Sequence, residues 1–112
     1  SGYVAGQRIA DEGRATAIFV ANDSMALGVL RALHEAGIRV PEDMSVAGFD
    51  DIPEAAYLTP SLTTVSQPFS EVGRRSIRAL LAKLHGGVAE ASTVIPPELI
   101  VRDSTAGARQ LT

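Results

Sequence analysis

No cysteine occurs among the 112 residues, which removes disulfides, thiolate zinc sites and thiol nucleophiles from consideration. Tryptophan is also absent and aromatic residues make up 4% of the chain, so it lacks the stacking rings on which single-stranded nucleic acid rests. Positive charge is scarce: 10 Lys and Arg against 13 Asp and Glu leave a net charge of -3 and an isoelectric point near 5.2. A segment with that balance does not grip a phosphate backbone by itself. No apolar run approaches the roughly 20 residues that span a bilayer, and the opening Ser1-Gly2-Tyr3 carries no basic-then-apolar leader, so neither a membrane span nor an export signal is expected. The 2 histidines, His34 and His85, fall late in predicted helices, where a cation suits the helix dipole. No metal site is expected.

What is present suits a globular chain. Hydrophobic residues are 46% and charged residues 21%, enough apolar surface to offset the entropy of ordering. Tyr3 to Glu12 reads as a helix stopped by Gly13. Thr16-Ala17-Ile18-Phe19-Val20-Ala21 is a short continuous apolar run, the pattern of a parallel strand buried on both faces. Asn22-Asp23-Ser24 then offers helix caps. Ala26, Val29, Leu30 and Leu33 form one helical stripe, widened by Leu27. Gly37 fits a left-handed position after that helix, and Pro41 forbids continuation. The strand-helix unit repeats, with Met44 to Phe49 ending in Asp50-Asp51 and a brief helical turn over Pro53 to Tyr57. Leu62-Thr63-Thr64-Val65 reads as a third strand, and Pro68 opens the longest helix, ended by Gly86-Gly87. Thr93 to Ile95 and Leu99 to Val101 read as a last strand pair or bent strand, and the polar tail from Ser104 onward as loose. Alternating strands and helices predict an α/β fold with a mostly parallel sheet. The opening helix has no strand before it, so the chain reads as the back half of a larger doubly wound domain.

Ligands of open parallel sheets bind beyond the carboxyl ends of the strands. Asn22, Asp50 and Gln67 follow three successive predicted strands at that end. A carboxylate between two amides accepts from and donates to a polyhydroxy ligand, and Phe49 and Phe69 supply an apolar face for a sugar or purine ring. Each residue also has a plainer role: a cap for Asn22, a turn for Asp50-Asp51, a solvated loop for Gln67, a core position for Phe69. Their shared position after successive strands favours the binding role. Enzyme motifs are missing: there is no Gly-x-Ser-x-Gly elbow, phosphate-cradling loop, His-Glu-x-x-His or Gly-x-Gly-x-x-Gly. The acidic pair of a phosphoryl receiver needs a lysine after a later strand, and the sole lysine, Lys83, lies inside a helix.

Four segments resemble LacI/GalR-type transcriptional regulators in the same order. They are Ala17-Ile18-Phe19-Val20-Ala21-Asn22-Asp23-Ser24-Met25-Ala26-Leu27-Gly28, Val40 to Asp51 with its Val-Pro-Glu-Asp lead-in, Pro60-Ser61-Leu62-Thr63-Thr64-Val65-Ser66-Gln67-Pro68, and the closing Pro97-Glu98-Leu99-Ile100-Val101-Arg102-Asp103-Ser104-Thr105. The resemblance implies a periplasmic-binding-protein-like fold of type I, a partial doubly wound sheet forming the C-terminal half of an effector-binding domain. It implies residues 1–67 as the later part of the C-terminal subdomain, 68–105 as a crossover helix and final strand of the other subdomain, and 106–112 as a flexible tail. Carried over residue by residue, it implies effector contacts at Asn22, Asp50, Gln67 and Phe69, and a homodimer surface at Leu27, Tyr57 and Leu58. The expected protein is cytoplasmic, without cofactor and not an enzyme. Its expected partners are a sugar or nucleobase effector, a second copy of itself, and operator DNA through an N-terminal domain outside this chain. An exported sugar-binding protein of the same fold, serving an ABC transporter, is the alternative. On the last helix, Ile77, Leu80, Leu81 and Leu84 form an apolar stripe that the lone chain is expected to bury against its own strands or a second copy.

Overall fold

The computed structural model describes residues 1–67, 69–86 and 96–110, with the side chains of 69–71 outside the description. In order come α1 (Gly2–Glu12), β1 (Ala17–Phe19), α2 (Asp23–Glu35), β2 (Ser45–Ala47), a 3-10 turn (Pro53–Tyr57), β3 (Thr64–Ser66), α3 (Phe69–Leu84) and β4 (Glu98–Ile100). The expected strand over Thr93 to Ile95 lies outside the described residues. Two compact units result, Ser1–Ser66 with Leu99–Thr112, and Gln67–Glu98.

In the first unit β1 and β2 run parallel, pairing Ala17 with Ser45, Ile18 with Val46 and Phe19 with Ala47. Parallel bridges Ala47–Thr63 and Asp50–Ser66 continue toward β3, which pairs with β4. The predicted parallel α/β arrangement is therefore present. Its strands are shorter than the apolar runs suggested, and β1 is not buried on both faces: Phe19 is 67% exposed. Among the described residues β1 also pairs on one edge only, with β2.

Close backbone approach sets the helix packing. A Cβ on Gly28 of α2 would stand 2.5 Å from the Tyr3 nitrogen of α1, and one on Gly2 would stand 2.0 Å from the Met25 carbonyl oxygen. Only glycine permits that contact. The Tyr3 hydroxyl then donates to the Glu35 carboxylate across the same pair of helices. Beneath them, Val20, Ala26, Val29, Leu33, Met44, Val46, Ala55 and Leu62 make one apolar core. Gly13, at φ 65, ends α1, and Gly37, at φ 76, follows the C-cap Ala36 of α2.

The expectation of a loose segment from Ser104 onward fails at its start. Ser104 is fully buried; its hydroxyl donates to the Val46 carbonyl at 2.5 Å and accepts from the Thr63 N–H at 2.8 Å. Ala106 exchanges two hydrogen bonds with the Ser45 hydroxyl, and Arg109 Nε donates to the Asp43 carbonyl at 2.9 Å. Ser104 closes the backbone at Val46 of β2 and at Thr63, just before β3, where an unpaired buried group is costly.

Between α2 and β2, the Arg39 guanidinium donates to both Asp43 carboxylate oxygens at 3.0 Å. Those bonds, with one from the Arg39 N–H, lower the Asp43 pKa to about 2. A depressed folded-state pKa contributes stability that is complete above the unfolded value near 3.8 and is lost as pH falls toward about 2. Asp43→Asn is accordingly expected to be less stable than the parent at pH 6, with the difference shrinking below about pH 4 and most of it gone by pH 2. Urea unfolding across that range checks this, and a difference independent of pH contradicts it.

In the second unit α3 carries the predicted stripe, and Ile77, Leu80, Leu81 and Leu84 are exposed in the single chain. Burial of the stripe within the chain is not observed. Gly86, at φ 75, follows the helix.

Candidate functional site at the strand ends

Asn22 and Asp50 leave β1 and β2 at the same end. The Asp23 N–H donates to the Phe49 carbonyl at 2.9 Å, so the two candidates flank one hydrogen bond. Asn22 is the N-cap of α2, in extended backbone (φ -155, ψ 163), and its Oδ1 accepts from the Met25 N–H at 2.8 Å. Its capping role is therefore real. It leaves the two N–H donors of the amide for other partners.

Asp50 is half-buried. Its N–H donates to the Val65 carbonyl at 2.9 Å, while its carboxylate makes no hydrogen bond among the described residues. The backbone here is unusual: Asp50 has φ 117 and Asp51 φ 56. Aspartate tolerates the second value better than most residues, whereas the first is a region where side chains other than glycine's hydrogen are strained by about 1–3 kcal/mol. Such a conformation persists only where its surroundings over-determine it. They do so here. The Asp51 N–H donates to Thr64 Oγ1 at 3.2 Å and the Ile52 N–H to Asp23 Oδ2 at 3.0 Å. Arg102 Nη2 donates to Asp51 Oδ1 at 3.0 Å while its Nη1 donates to the Leu62 carbonyl at 2.9 Å.

Asp23 is the centre of this support, and it is the residue that reasoning from the sequence undervalued. Read there as no more than a possible cap, it is fully buried, with Oδ1 accepting from the Thr64 hydroxyl at 2.7 Å and Oδ2 from the Ile52 N–H. One signal was available in Gly48, an isolated glycine in a strand pattern, which marks a close approach. A Cβ there would lie 2.1 Å from Asp23 Oδ1.

Gln67 follows Ser66 directly and is the first residue of the second unit. Phe69 begins α3, and its side chain lies outside the described residues. Phe49 is half-buried beside Asp50. On a different face, a cavity of about 730 Å³ opens between α2 and the segment after the 3-10 turn, lined by Leu27, Leu30, His34, Leu58 and Pro60 among others. It contains neither Asn22 nor Asp50. No cluster of three or more metal-ligating side chains exists among the described residues, and no helix among them is long and apolar enough to cross a membrane.

Comparison with known proteins places this geometry. A family model described as a periplasmic binding protein-like domain matches residues 2–105. The chain is 48% identical over 94 residues to the HTH-type transcriptional regulator MalR of Streptomyces coelicolor, covering 83% of the chain and 27% of the regulator. It is 42% identical over 108 residues to the HTH-type transcriptional repressor PurR of Edwardsiella ictaluri, covering 95% and 32%. Among solved structures, a dimeric Lac repressor superposes with a TM-score of 0.87 at 37% identity, covering 97% of the chain and 40% of the repressor chain. A LacI family regulator from Arthrobacter sp. FB24 in complex with lactose gives 0.82 at 36% identity, covering 94% and 41%. The chain thus spans between about a quarter and a third of the length of these curated relatives. Four motifs in order, a parallel sheet ending in a supported acidic turn, and these relatives converge: the chain belongs to the periplasmic-binding-protein-like domain family, in the form carried by LacI-type transcriptional regulators.

Proposed function

We propose that this segment supplies part of the effector-binding and dimerisation machinery of a LacI-type regulator, with Asn22, Asp50, Gln67 and Phe69 contacting a small polyhydroxy or ring-shaped effector, a sugar or nucleobase. The observation that carries the reading is Asp50. Its carboxylate has no hydrogen bond among the described residues, on a turn whose φ of 117 is kept by bonds from α2, β3 and the segment after β4. Strain kept in that way is characteristic of binding sites. The relatives described above are regulators, which supports a binding role over catalysis, a site of action at cytoplasmic DNA, and a regulator over a transporter's binding protein. Operator contact falls to a domain outside this acidic segment. In the intact regulator, titrated calorimetrically with free sugars and purine bases, Asp50→Ala is expected to weaken effector binding by about 1.5–3 kcal/mol, the range for a hydrogen bond to a charged group. Unchanged affinity retires the assignment.

Dimerisation through Leu27, Tyr57 and Leu58 has its own support. Tyr57 is 86% and Leu27 37% exposed, Leu58 is half-buried, and Leu27 and Leu58 line the same cavity. An exposed aromatic beside an apolar cavity is the composition of an interface core. Effector then changes operator affinity by binding two arrangements of the regulator unequally. Leu27→Asp places a charge in the middle of that contact, and sedimentation is expected to show the dimer dissociating at least tenfold more readily, the effect of about 1.4 kcal/mol. A dimer of undiminished strength places the interface elsewhere.

A further inference from the structure

The acidic doublet carries two carboxylates in two different situations, and the difference leads to Arg102. Asp50 makes no side-chain hydrogen bond among the described residues. Asp51, the next residue, is held by a guanidinium: Arg102 Nη2 lies 3.0 Å from Asp51 Oδ1, with the two side chains only 19% and 25% exposed. The same guanidinium donates through Nη1 to the Leu62 carbonyl at 2.9 Å. Its own backbone is secured independently, since the Arg102 N–H donates to Thr63 Oγ1 at 2.8 Å and that hydroxyl bonds the Arg102 carbonyl at 3.2 Å. A planar fork with one tine on a main-chain carbonyl and the other on a carboxylate fixes direction as well as distance, which a lysine ammonium does not do.

We propose that Arg102 is the positioning residue of the binding turn: by holding Asp51 it maintains the consecutive positive φ values that aim Asp50, and it reserves Asp50 as the one carboxylate of the doublet available to a ligand. The proposal rests on the reading of Asp50 as an effector contact. The turn leaves the Asp51 side chain in a left-handed residue, where a free carboxylate competes for local backbone N–H groups. Arg102 removes that competition. The Asp51 N–H is then left to Thr64 Oγ1 and the Ile52 N–H to Asp23 Oδ2, and every link in the support reaches the turn from a different segment.

Amide hydrogen exchange in the intact regulator without effector tests this, so its outcome is separate from that of the Asp50→Ala titration: failure there retires the effector contact and leaves the exchange result standing. Arg102→Gln is expected to speed exchange at Asp51 and Ile52 by about tenfold, with Val29 and Val46 in the core unchanged, because local opening and global unfolding are read at different amides. Asp51→Asn is expected to do the same, and adding Arg102→Gln to it should bring little further change, since coupled residues are non-additive. Arg102→Lys restores the charge without the fork and is expected to recover only part of the protection. Unaltered exchange at Asp51 and Ile52 overturns the proposal, and so does a rise shared equally by Val29 and Val46, which marks Arg102 as a general stabiliser. Should Arg102→Gln not fold, Asp51→Asn alone decides the question, by exchange at the same two pairs of amides.

Discussion

Replacing Asp23 by alanine is expected to lower the unfolding free energy by about 2–5 kcal/mol, because the fully buried Thr64 hydroxyl and the half-buried Ile52 N–H each lose a partner, at about 1–3 kcal/mol for a group left unpaired in the interior and toward the low end of that range for the half-buried one. Asp23 is fully buried and takes one of those donors on each oxygen. It is also enclosed by Gly48, whose lack of a side chain makes the room. Water is no easy substitute as a partner for the hydroxyl: Thr64 is fully buried. Urea unfolding of the parent and the variant measures the loss, and a change below about 1 kcal/mol would mean that water or a relaxed turn satisfies these groups. Asp23→Asn retains the shape but turns one acceptor into a donor. It is expected to fall between the parent and Asp23→Ala.

A second large effect is expected at Leu33, which is fully buried in the first unit's core. Leu33→Ala removes apolar area and leaves a cavity, and such changes cost about 3–5 kcal/mol where neighbours collapse little. The neighbours here include Val29, Met44 and Val46, each nearly or fully inaccessible. On the same helix Leu27 is 37% exposed, so Leu27→Ala is expected to change unfolding by well under 1 kcal/mol when the protein is monomeric. The pair separates core from surface on one helix. Equal losses at the two positions would place Leu27 in the core and remove it from the dimer surface.

That contrast shows where periodicity stops being informative. Spacing put Ala26, Val29, Leu30, Leu33 and Leu27 on one apolar side of a helix, and Ala26, Val29 and Leu33 are indeed buried. Periodicity reports a direction around the helix axis, not how far the covering layer extends. Leu27 lies past that edge. The run around β1 has the same limit. Five apolar residues in a row, Ala17 to Ala21, describe a strand covered on both faces, but the run does not supply the layer that does the covering, and Phe19 is exposed.

Local chemistry was legible where one residue type does one job. Gly13 and Gly37 take positive φ after their helices, Asn22 caps α2, and the strand-helix alternation produces parallel pairing. These features depend on neighbours a few residues away, and the side chains that make them possible are few. The order of the motifs was enough to indicate the family, and the position of Asn22 and Asp50 after successive strands was enough to place both at one end of the sheet. The support beneath them depends on long-range contacts: Thr64 on Asp23 across 41 positions and Arg102 on Asp51 across 51. No local pattern encodes such a partner. An Asp-Asp pair in a chain gives equal weight to its two acids. Only the approach of an arginine from the far end of the chain makes one of them a strut and leaves the other without a side-chain hydrogen bond among the described residues. Ser104 has the same lesson, since a serine in a polar tail looks solvated until the fold sets it between Val46 and Thr63. Burial and pairing of polar groups belong to the tertiary arrangement because a hydroxyl or carboxylate carries no preference for a distant partner until folding excludes water from both.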